Sequence, residues 1–266
     1  SRLKWEQAIQ NNPSPENYLG LYQVEYLLGT DRTEQYLLLN SSVVQAFAEY
    51  FRKNGEWENA KKFYEKLRSY ASSASSYGNI SAFIYEASLR GNLPLNRPEF
   101  FQFTTDTAYQ YFVYELTELF DTWSSSQLMV LFQDILVTFD FQDQLISNQG
   151  TKTPEHTAYY QYLRAYYNGY IGSLYLERGE FAKSLEYLQT CYLKHPADFP
   201  DFIRDIPQAF FMLGRYDETR ASYDLLLADP EIPYKNYFLE DLEQLIQSGR
   251  LSVAQRNKAL EFIQWL

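Results

Sequence analysis

Apolar side chains recur every three or four residues along most of the chain, a spacing that predicts helices rather than strands. We find no stretch with the strict alternation and paired turns of a sheet. The clearest helical pattern lies in residues 168–196, NGYIGSLYLERGEFAKSLEYLQTCYLKHP. Leu174 and Tyr175 fall on the apolar stripe of a first helix there, and Leu188 falls on the inner face of a second. The pattern predicts two helices that pack against each other.

The turn between these helices is predicted at Gly179, because a left-handed backbone costs little energy only for glycine. Phe181 is expected to begin the second helix, and Pro196 to end it, since proline cannot continue a helix. A similar pattern surrounds Gly214, which lies 35 residues after Gly179, and Gly55 in VVQAFAEYFRKNGEWENAKKFYEKL. A weaker one, NISAFIYEASLRGNLP, ends near Gly91. The recurrence predicts a helical repeat.

The spacing of glycines, aromatic residues and a closing proline in the segment that contains Gly179 resembles the tetratricopeptide repeat. The residues that carry the resemblance are Gly172, Tyr175, Gly179, Phe181, Leu188 and Pro196. Ser184 and Cys191 stand where that family usually has alanine, and both are small enough to preserve a close helix approach. The resemblance covers 42–92 and 166–231. It implies an all-α fold, a right-handed superhelix of antiparallel helix pairs of the α-α solenoid type.

The whole chain is predicted to form a single repeat domain over 1–266. A solenoid needs atypical units at its ends to cover the last apolar faces. The expected parts are N-terminal cap helices in 1–40, repeat units in 42–96, an enlarged helical hairpin in 98–150, repeat units in 155–231 and C-terminal cap helices in 234–266. Ser252 and Gln255 have the spacing of a capping box at the start of the last helix.

The central hairpin is predicted from two long amphipathic segments. We expect one helix in residues 104–123, TTDTAYQYFVYELTELFDTW. Its inner face is made of Tyr109, Phe112, Val113, Leu116, Leu119 and Phe120. SSSQLMVLFQDILVTFDFQDQLI is expected to be its partner, begun by a serine-rich cap. This second helix is apolar around most of its circumference from Leu128 to Phe132, so we expect burial on several sides. SNQGTKTPEH then reads as an exposed connection.

Composition and charge narrow the range of partners. Hydrophobic residues make up 45% and aromatic residues 18% of the chain, enough for a sizeable core with tyrosines to spare for a surface. The formal charge of −11, from 23 basic and 34 acidic side chains, argues against nucleic acid and anionic lipid, since both require a basic surface. No apolar run approaches the ~20 residues of a membrane-spanning helix. A protein or peptide partner is therefore expected.

The residues that could carry chemistry are few, and we predict no enzyme, cofactor or metal site. His195 is expected to interact with a helix C-terminus, and His156 has no second ligand at metal-binding spacing except its neighbour Glu155. Cys191 is expected to be a buried small residue rather than a reactive thiol. Asp140 and Asp143 share a helix face and are the best candidates for acid–base work, but they have no further acidic cluster nearby.

The resemblance implies that the first helix of each pair lines a concave groove where a partner binds. The corresponding residues here are Gln45, Glu49, Arg52, Lys53, Tyr85, Tyr166, Ser173, Glu177, Arg204, Gln208 and Phe211. Family members that hold a C-terminal carboxylate use lysine and asparagine at inner positions, where this chain has Gln45 and Glu49. The clamp for a carboxylate is therefore absent, and a peptide or helix held by aromatic and neutral polar contacts is favoured.

Three functions follow as hypotheses. The first is a scaffold that binds a peptide or helix of a partner protein in its groove. The second is the peptide-sensing domain of a bacterial signalling protein, which would require a helix-turn-helix before Ser1. The third is an enzyme on a helical scaffold that uses Asp140 and Asp143. Either a cytoplasmic or a periplasmic location fits, and the scaffold hypothesis allows a tether or second domain outside residues 1–266.

Overall fold

The computed structural model describes residues 1–30, 32–96, 100–101, 103, 106–119, 122–194, 199–228 and 234–266. It is 79% helical, and the described residues contain no strand. The predicted all-α fold class is confirmed. The chain divides into two compact units, Ser1–Trp123 and Ser124–Leu266, which we call the N-terminal and the C-terminal unit.

The N-terminal unit is a series of helices in which neighbours in sequence pack together. Its helices are α1 (Arg2–Asn11), α2 (Pro15–Leu27), α3 (Thr33–Tyr36), α4 (Ser41–Lys53), α5 (Trp57–Arg68), α6 (Ala74–Arg90) and α7 (Asp106–Thr117). Helix α5 packs between α4 and α6, and α6 also packs against α7. Aromatic rings fill the core, where Phe47 stacks on Tyr36 with ring centroids 4.6 Å apart and on Phe63 at 5.5 Å. Such ring pairs add to the stabilisation from buried area.

The C-terminal unit follows the same principle with longer helices at its start. It contains α8 (Ser125–Asn148), α9 (Pro154–Glu177), α10 (Phe181–Lys194), α11 (Pro200–Ile203), α12 (Asp205–Met212), α13 (Tyr216–Leu227), α14 (Tyr234–Gln247) and α15 (Val253–Trp265). Helix α9 packs against α8 and α10, and α12 packs against α10 and α13. Near the end of the chain, Tyr223 packs on Phe238 with ring centroids 4.3 Å apart and on Phe262 at 5.8 Å.

Short polar side chains begin several helices. Ser124 accepts a hydrogen bond from the backbone N–H of Gln127, whose side chain in turn accepts from the backbone N–H of Ser124. Ser252 and Gln255 form the same capping box at the start of α15, as the sequence predicts. Each box satisfies backbone donors that the first turn of a helix leaves without partners, and a cap contributes about 1 kcal/mol.

The predicted glycine turns have the expected geometry. Gly55, Gly179 and Gly214 adopt left-handed φ angles of 72°, 76° and 73°. At Gly179, the glycine N–H donates to the carbonyl of Leu176 at 3.0 Å, and the next residue, Glu180, donates to Tyr175 at 2.9 Å. This pair of bonds is the Schellman motif, in which backbone N–H groups just beyond the helix donate to carbonyls of its last turn. Gly249, which lies 35 residues after Gly214, is left-handed as well, with a φ of 70°.

The turn near Gly91 differs from the prediction. Asn92 has the left-handed φ of 50°, and Leu93 donates to the carbonyl of Ser88 at 2.8 Å, so the same closure occurs one residue later. Gly91 is required for a different reason. A Cβ at that position would lie 2.6 Å from the Cβ of Trp57, closer than real side chains approach. The glycine therefore permits α5 and α6 to meet.

The predicted helix over residues 104–123 is too long. Helix α7 ends at Thr117, whose hydroxyl donates to the carbonyl of Tyr114 at 2.6 Å, and Leu119 N–H donates to Leu116, only three residues back. Of the predicted inner face, the buried members are Tyr109, Phe112 and Leu116, the half-buried ones are Val113 and Leu119, and Phe120 lies outside the described residues.

The second half of the predicted hairpin agrees better with the structure. No side chain from Leu128 to Phe132 is exposed, as expected. The exposed connection between α8 and α9 is residues 149–153, shorter than the predicted SNQGTKTPEH, whose ends belong to the two helices. Helix α8 packs against α9 in the C-terminal unit, whereas α7 packs against α6 in the N-terminal unit. The pairing of the two halves into one enlarged hairpin stays a prediction.

Candidate binding cleft

The candidate catalytic and metal-binding residues do not form a cluster. His195 lies outside the described residues. His156 is in the first turn of α9, and no group of three or more His, Cys, Asp or Glu that could hold a metal ion occurs in the described part of the chain. Cys191 is fully buried, and burial raises the pKa of its thiol to about 12. A thiol in that state is a poor nucleophile near neutral pH.

The two aspartates on α8 each interact with a different cation. Asp140 accepts a hydrogen bond from Arg164 at 2.8 Å, and Asp143 accepts one from Lys152 at 2.9 Å. Asp140 remains largely exposed to solvent. Each carboxylate is paired with its own cation at the surface. This arrangement is typical of ordinary surface ion pairs rather than of two carboxylates that share acid–base chemistry.

Two of the predicted groove residues are core residues, so their assignment to a groove is corrected. Tyr85 is 2% exposed and Phe211 is 0% exposed. Tyr85 packs against an aromatic cluster that includes Phe112 at 6.1 Å and Trp123 at 6.4 Å, and Phe211 packs against Phe262 at 6.1 Å. The resemblance assigned both residues to the groove by their place in the repeat, but the width of the buried stripe on a helix cannot be read from the repeat alone.

Several other predicted groove residues already have partners within their own unit. Arg52 pairs with Glu86, while Ser173 donates to Asp205, and Arg204 donates to Asp241 at 2.7 Å. Tyr166 shares a hydrogen bond with Tyr170, their hydroxyl oxygens 2.9 Å apart. Three further predicted groove residues remain besides Gln45 and Glu49. Gln208 is half-buried, and Lys53 and Glu177 are exposed.

Gln45 and Glu49 border a cleft of about 360 Å³ in the N-terminal unit. Helix α4 forms one side, α5 the floor, and the start of α6 with its preceding linker the other side. The lining residues are Ser41, Gln45, Glu49, Tyr64, Leu67, Tyr70, Ala71, Ser76, Asn79, Ile80 and Phe83. We call this space the α4–α6 cleft. Its volume lies in the range of small-molecule and peptide side-chain pockets.

Aromatic rings form the deep wall of the α4–α6 cleft. The rings of Tyr64 and Phe83 lie 5.1 Å apart between centroids, and the guanidinium of Arg52 lies 4.5 Å from the ring of Phe83. Arg52 pairs with the buried carboxylate of Glu86, and Arg90 pairs with the same carboxylate at 2.9 Å. One carboxylate therefore faces two guanidinium groups beside this aromatic wall.

Two buried polar atoms in the cleft wall lack a hydrogen bond to any described residue, namely the hydroxyl of Tyr64 and Oδ1 of Asn79. Tyr64 is only 2% exposed. Burial raises the pKa of its hydroxyl, and the charge of Arg52 opposes that rise, so Tyr64 stays protonated at neutral pH. Buried polar groups in folded proteins nearly always have partners, and leaving one unpaired costs about 1–3 kcal/mol.

Tyr64 and Asn79 are cleft residues that were not singled out from the sequence. Tyr64 lies in the repeat segment around Gly55, and Asn79 in the weaker segment that ends near Gly91. Helix α6 begins at Ala74, capped by Ser73, which accepts from the backbone N–H of Ser76 at 3.1 Å. Asn79 then lies one turn before Phe83 on the same face, a spacing that could have indicated its position.

A second aromatic surface lies on α9 in the C-terminal unit. It consists of Tyr159, Tyr162, Tyr166 and Tyr170, which recur at helical spacing. Two phenylalanines pack onto it: Phe199, which directly precedes α11, and Phe202, which lies within α11. Phe199 lies 4.9 Å from Tyr162, and Phe202 lies 4.8 Å from Tyr170, between ring centroids. The aromatic surface of α9 is thus filled by the chain itself over much of its length.

Comparison with known proteins adds no assignment: no protein-family model matches the chain, and no curated protein matches it significantly. The resemblance to the tetratricopeptide repeat therefore stays a prediction from the residues. Among the helices that the structure describes, none combines the length and the apolar character that are needed to cross a membrane.

Proposed function

We propose that the chain is a tetratricopeptide-like helical repeat protein that binds a peptide segment of a partner protein in the α4–α6 cleft. The observation that carries this proposal is the cleft itself, about 360 Å³ in volume, which Gln45 and Glu49 of α4 line together with Phe83 of α6. A bound segment would meet the exposed polar side chains of α4 and the ring of Phe83 as contact area.

The repeat architecture supports the same proposal. Glycine turns of one geometry close helices in both units, and helices that are neighbours in sequence pack together within each unit. Repeats of this type present the inner helices of successive pairs as an extended surface for other chains. Gln45 and Glu49 on α4, which the resemblance assigns to the groove, lie in the cleft together with Asn79 and Phe83 of α6.

The proposal is tested by selecting peptides from a random display library on the purified protein. The Gln45→Trp variant places an indole in the cleft from an exposed position of α4. The Gln23→Trp variant makes the same change at an exposed position of α2, which does not line the cleft. We expect the selected peptides to lose at least tenfold in affinity for Gln45→Trp and to bind Gln23→Trp like the wild type.

Selected peptides that bind the wild type and Gln45→Trp equally would contradict the cleft as the binding site. Amide hydrogen exchange of the complex provides the second measurement. Protection on peptide binding is expected in α4 and at the start of α6. Protection confined to the C-terminal unit would overturn the proposal.

A further inference from the structure

We infer that a second pocket of the N-terminal unit, at the turn that contains Gly29, binds a primary alkylammonium group. The pocket has a volume of about 240 Å³. Its lining includes Tyr22 and Tyr26 of α2, Gly29 and Thr30 of the turn after α2, and Glu56 and Asn59 at the start of α5. We call it the Gly29 pocket. It shares no lining residue with the α4–α6 cleft, so its ligand does not depend on a peptide in that cleft.

The carboxylate of Glu56 in this pocket has no cation beside it. Glu56 is half-buried, and its carboxylate accepts a hydrogen bond from the side chain of Asn59 at 3.2 Å. It occupies the N-cap position of α5 but forms no capping bond with the first turn of that helix. Among the described residues, no lysine or arginine forms an ion pair with it. A positive ligand in the pocket would therefore meet an unpaired negative charge.

The C-terminal unit has a glutamate at the same position of a turn, and that glutamate is paired. Glu180 and Glu56 each directly follow a left-handed glycine. The carboxylate of Glu180 lies 2.6 Å from Nζ of Lys183, three residues later, and 3.4 Å from Nε of Arg178, two residues earlier. Relative to Glu56, both of these positions hold asparagine, which is neutral. The turn itself therefore does not require an unpaired carboxylate, and the sequence around Glu56 leaves its charge available to a ligand.

The ring of Tyr26 in the same pocket is open to a ligand. Tyr26 is 68% exposed, and its one ring pair among the described residues is with Tyr22, 6.1 Å away between centroids. No described lysine or arginine lies over the ring of Tyr26. Arg32, the cation nearest to Tyr26 in sequence, pairs instead with the buried carboxylate of Glu25 at 3.4 Å. The face of Tyr26 is therefore available for the attraction between an aromatic ring and an ammonium group.

Hydrogen-bond acceptors lie beside this ring. Oδ1 of Asn59 can only accept, since the donor of the same amide, Nδ2, is directed to Glu56. The hydroxyl of Thr30 also has lone pairs to offer. All three residues are half-buried rather than buried, so a ligand can reach their oxygens. An ammonium group has three donors and no acceptor, which matches this set, and its alkyl stem can rest on the ring of Tyr26.

Three other classes of ligand fit less well. A divalent metal ion needs several oxygen ligands, and the described residues contain no group of three or more side chains that could hold one. A neutral polyol could stack on Tyr26 and bond to Asn59, but it would leave the charge of Glu56 unpaired. A quaternary ammonium ion has the charge but no N–H group for the acceptors. A neutral and a quaternary ligand are therefore included in the experiment.

The experiment titrates n-butylammonium chloride into the ¹⁵N-labelled protein at constant ionic strength and follows the backbone amides of Gly29, Thr30 and Glu56. n-Butanol keeps the stem and lacks the charge, whereas tetramethylammonium keeps the charge and lacks N–H donors. We expect n-butylammonium to bind with a Kd on the order of 1 mM and the other two about tenfold more weakly. Acetyl-lysine methylamide identifies the source of the group. Binding as tight as that of n-butylammonium indicates a lysine side chain, and weaker binding indicates a free amine.

Variants locate the charge and the ring. Glu56→Gln keeps an oxygen that can accept from Asn59 and removes the charge, so it should weaken n-butylammonium about fivefold and leave n-butanol unchanged. Glu180→Gln is the matched control, because it removes the same charge from the corresponding position after a left-handed glycine and should change neither. Tyr26→Leu should weaken n-butylammonium about threefold, whereas Tyr114→Leu, at a similarly exposed position on α7, should have no effect.

Equal binding of n-butanol and n-butylammonium at the Gly29 pocket would overturn the inference, as would tighter binding of tetramethylammonium. Equal losses of affinity for Glu56→Gln and Glu180→Gln would also overturn it, since they would show that the net negative charge of the protein attracts the ligand diffusely. The absence of any saturable shift of the pocket amides would have the same consequence. None of these results affects the proposed function, which is tested at the α4–α6 cleft with the Gln45→Trp variant.

Discussion

Each unit has an aromatic surface between its helices, and the two surfaces differ in how far the chain itself fills them. In the N-terminal unit, α4 and α6 border a cleft of about 360 Å³ with polar atoms that lack partners among the described residues. In the C-terminal unit, Phe199 and Phe202 pack onto Tyr166 and Tyr170 of α9 and onto part of Tyr162, which stays 38% exposed. The glycine turns that precede α5 and α10 have nearly equal φ angles, 72° and 76°, so the turn is not the source of the difference.

The segments that follow α5 and α10 account for the difference. Residues 69–73, SYASS, join α5 to α6 with mostly small side chains, and Tyr70 among them is 42% exposed. After α10, the chain adds the short helix α11, which places Phe202 against α9. A short linker of small residues leaves a space open, whereas an inserted aromatic turn fills it. Linker content therefore decides whether a repeat of this kind offers a cleft.

The largest expected effect comes from emptying the filled surface. Phe202→Ala should lower the free energy of unfolding by about 2–3 kcal/mol, since it removes ring contacts with Tyr166 and Tyr170 and leaves a cavity. Phe83→Ala, at the wall of the open cleft, should cost less, about 1 kcal/mol. Both rings are half-buried, but among the described ring pairs Phe83 packs only on Tyr64, and the cleft beside it is already open. Urea unfolding measures both changes.

Hydrogen exchange then tells where the Phe202→Ala variant is weakened. Faster exchange is expected in α9 and α12, with exchange of α4 to α6 unchanged. Equal losses of stability for Phe202→Ala and Phe83→Ala would contradict the distinction between a filled and an open surface.

The next effect tests whether the two units share one turn. Gly55→Ala and Gly179→Ala should each lower the free energy of unfolding by about 1–2 kcal/mol, because a left-handed backbone is unfavourable for alanine. A new Cβ would meet no atom closer than 3.8 Å at either position, so backbone strain is the main cost. The measurement is urea unfolding of both variants. A difference between them above about 1 kcal/mol would mean that the turns are not equivalent.

The sequence predicted features that depend on local spacing. Ser252 with Gln255 and the left-handed Gly179 follow from hydrogen bonds within a few residues, and both are confirmed. The position of Asn92 as the left-handed residue was missed, because an available Gly91 fits the same pattern. Only the approach of Trp57 explains why a glycine is needed at position 91, and that contact spans two helices.

The candidate site was less predictable than the fold. The resemblance assigned Gln45 and Glu49 to a partner-binding groove. Both line the α4–α6 cleft, and its use as a binding groove stays a prediction. Tyr85 and Phe211 were assigned by the same reasoning and are buried, since spacing gives a direction around a helix but not the depth of its neighbours. The unpartnered state of Tyr64 depends on which side chains surround its hydroxyl, and no local pattern encodes that.

A smaller effect concerns the carboxylate of Asp205 in the C-terminal unit. Burial raises the pKa of Asp205 to about 6, although Ser173 donates a hydrogen bond to it. A raised pKa in the folded state means that this group stabilises the fold most fully below about pH 4 and that the contribution is lost as the pH rises through 6. The Asp205→Asn variant should therefore be more stable than the wild type by about 1 kcal/mol at pH 8.

The advantage of Asp205→Asn should vanish at pH 4, where the aspartate is protonated in the folded protein. Chemical unfolding at pH 4, 6 and 8 gives the profile. Asp140→Asn serves as the control, since Asp140 is largely exposed and its replacement should not produce this pH dependence. A constant difference at all three pH values would show that burial of the Asp205 charge is not the cause.

The smallest expected effect on stability belongs to the open cleft and tests whether the hydroxyl of its tyrosine has a structural role. Tyr64→Phe should change the free energy of unfolding by less than about 0.5 kcal/mol or increase it, because the hydroxyl forms no hydrogen bond with the described residues. Tyr36→Phe is the matched control within the same unit. It removes a hydroxyl that donates to the buried carboxylate of Glu25 at 2.8 Å and should cost about 1–2 kcal/mol. A large loss of stability in Tyr64→Phe would mean that the hydroxyl supports the fold.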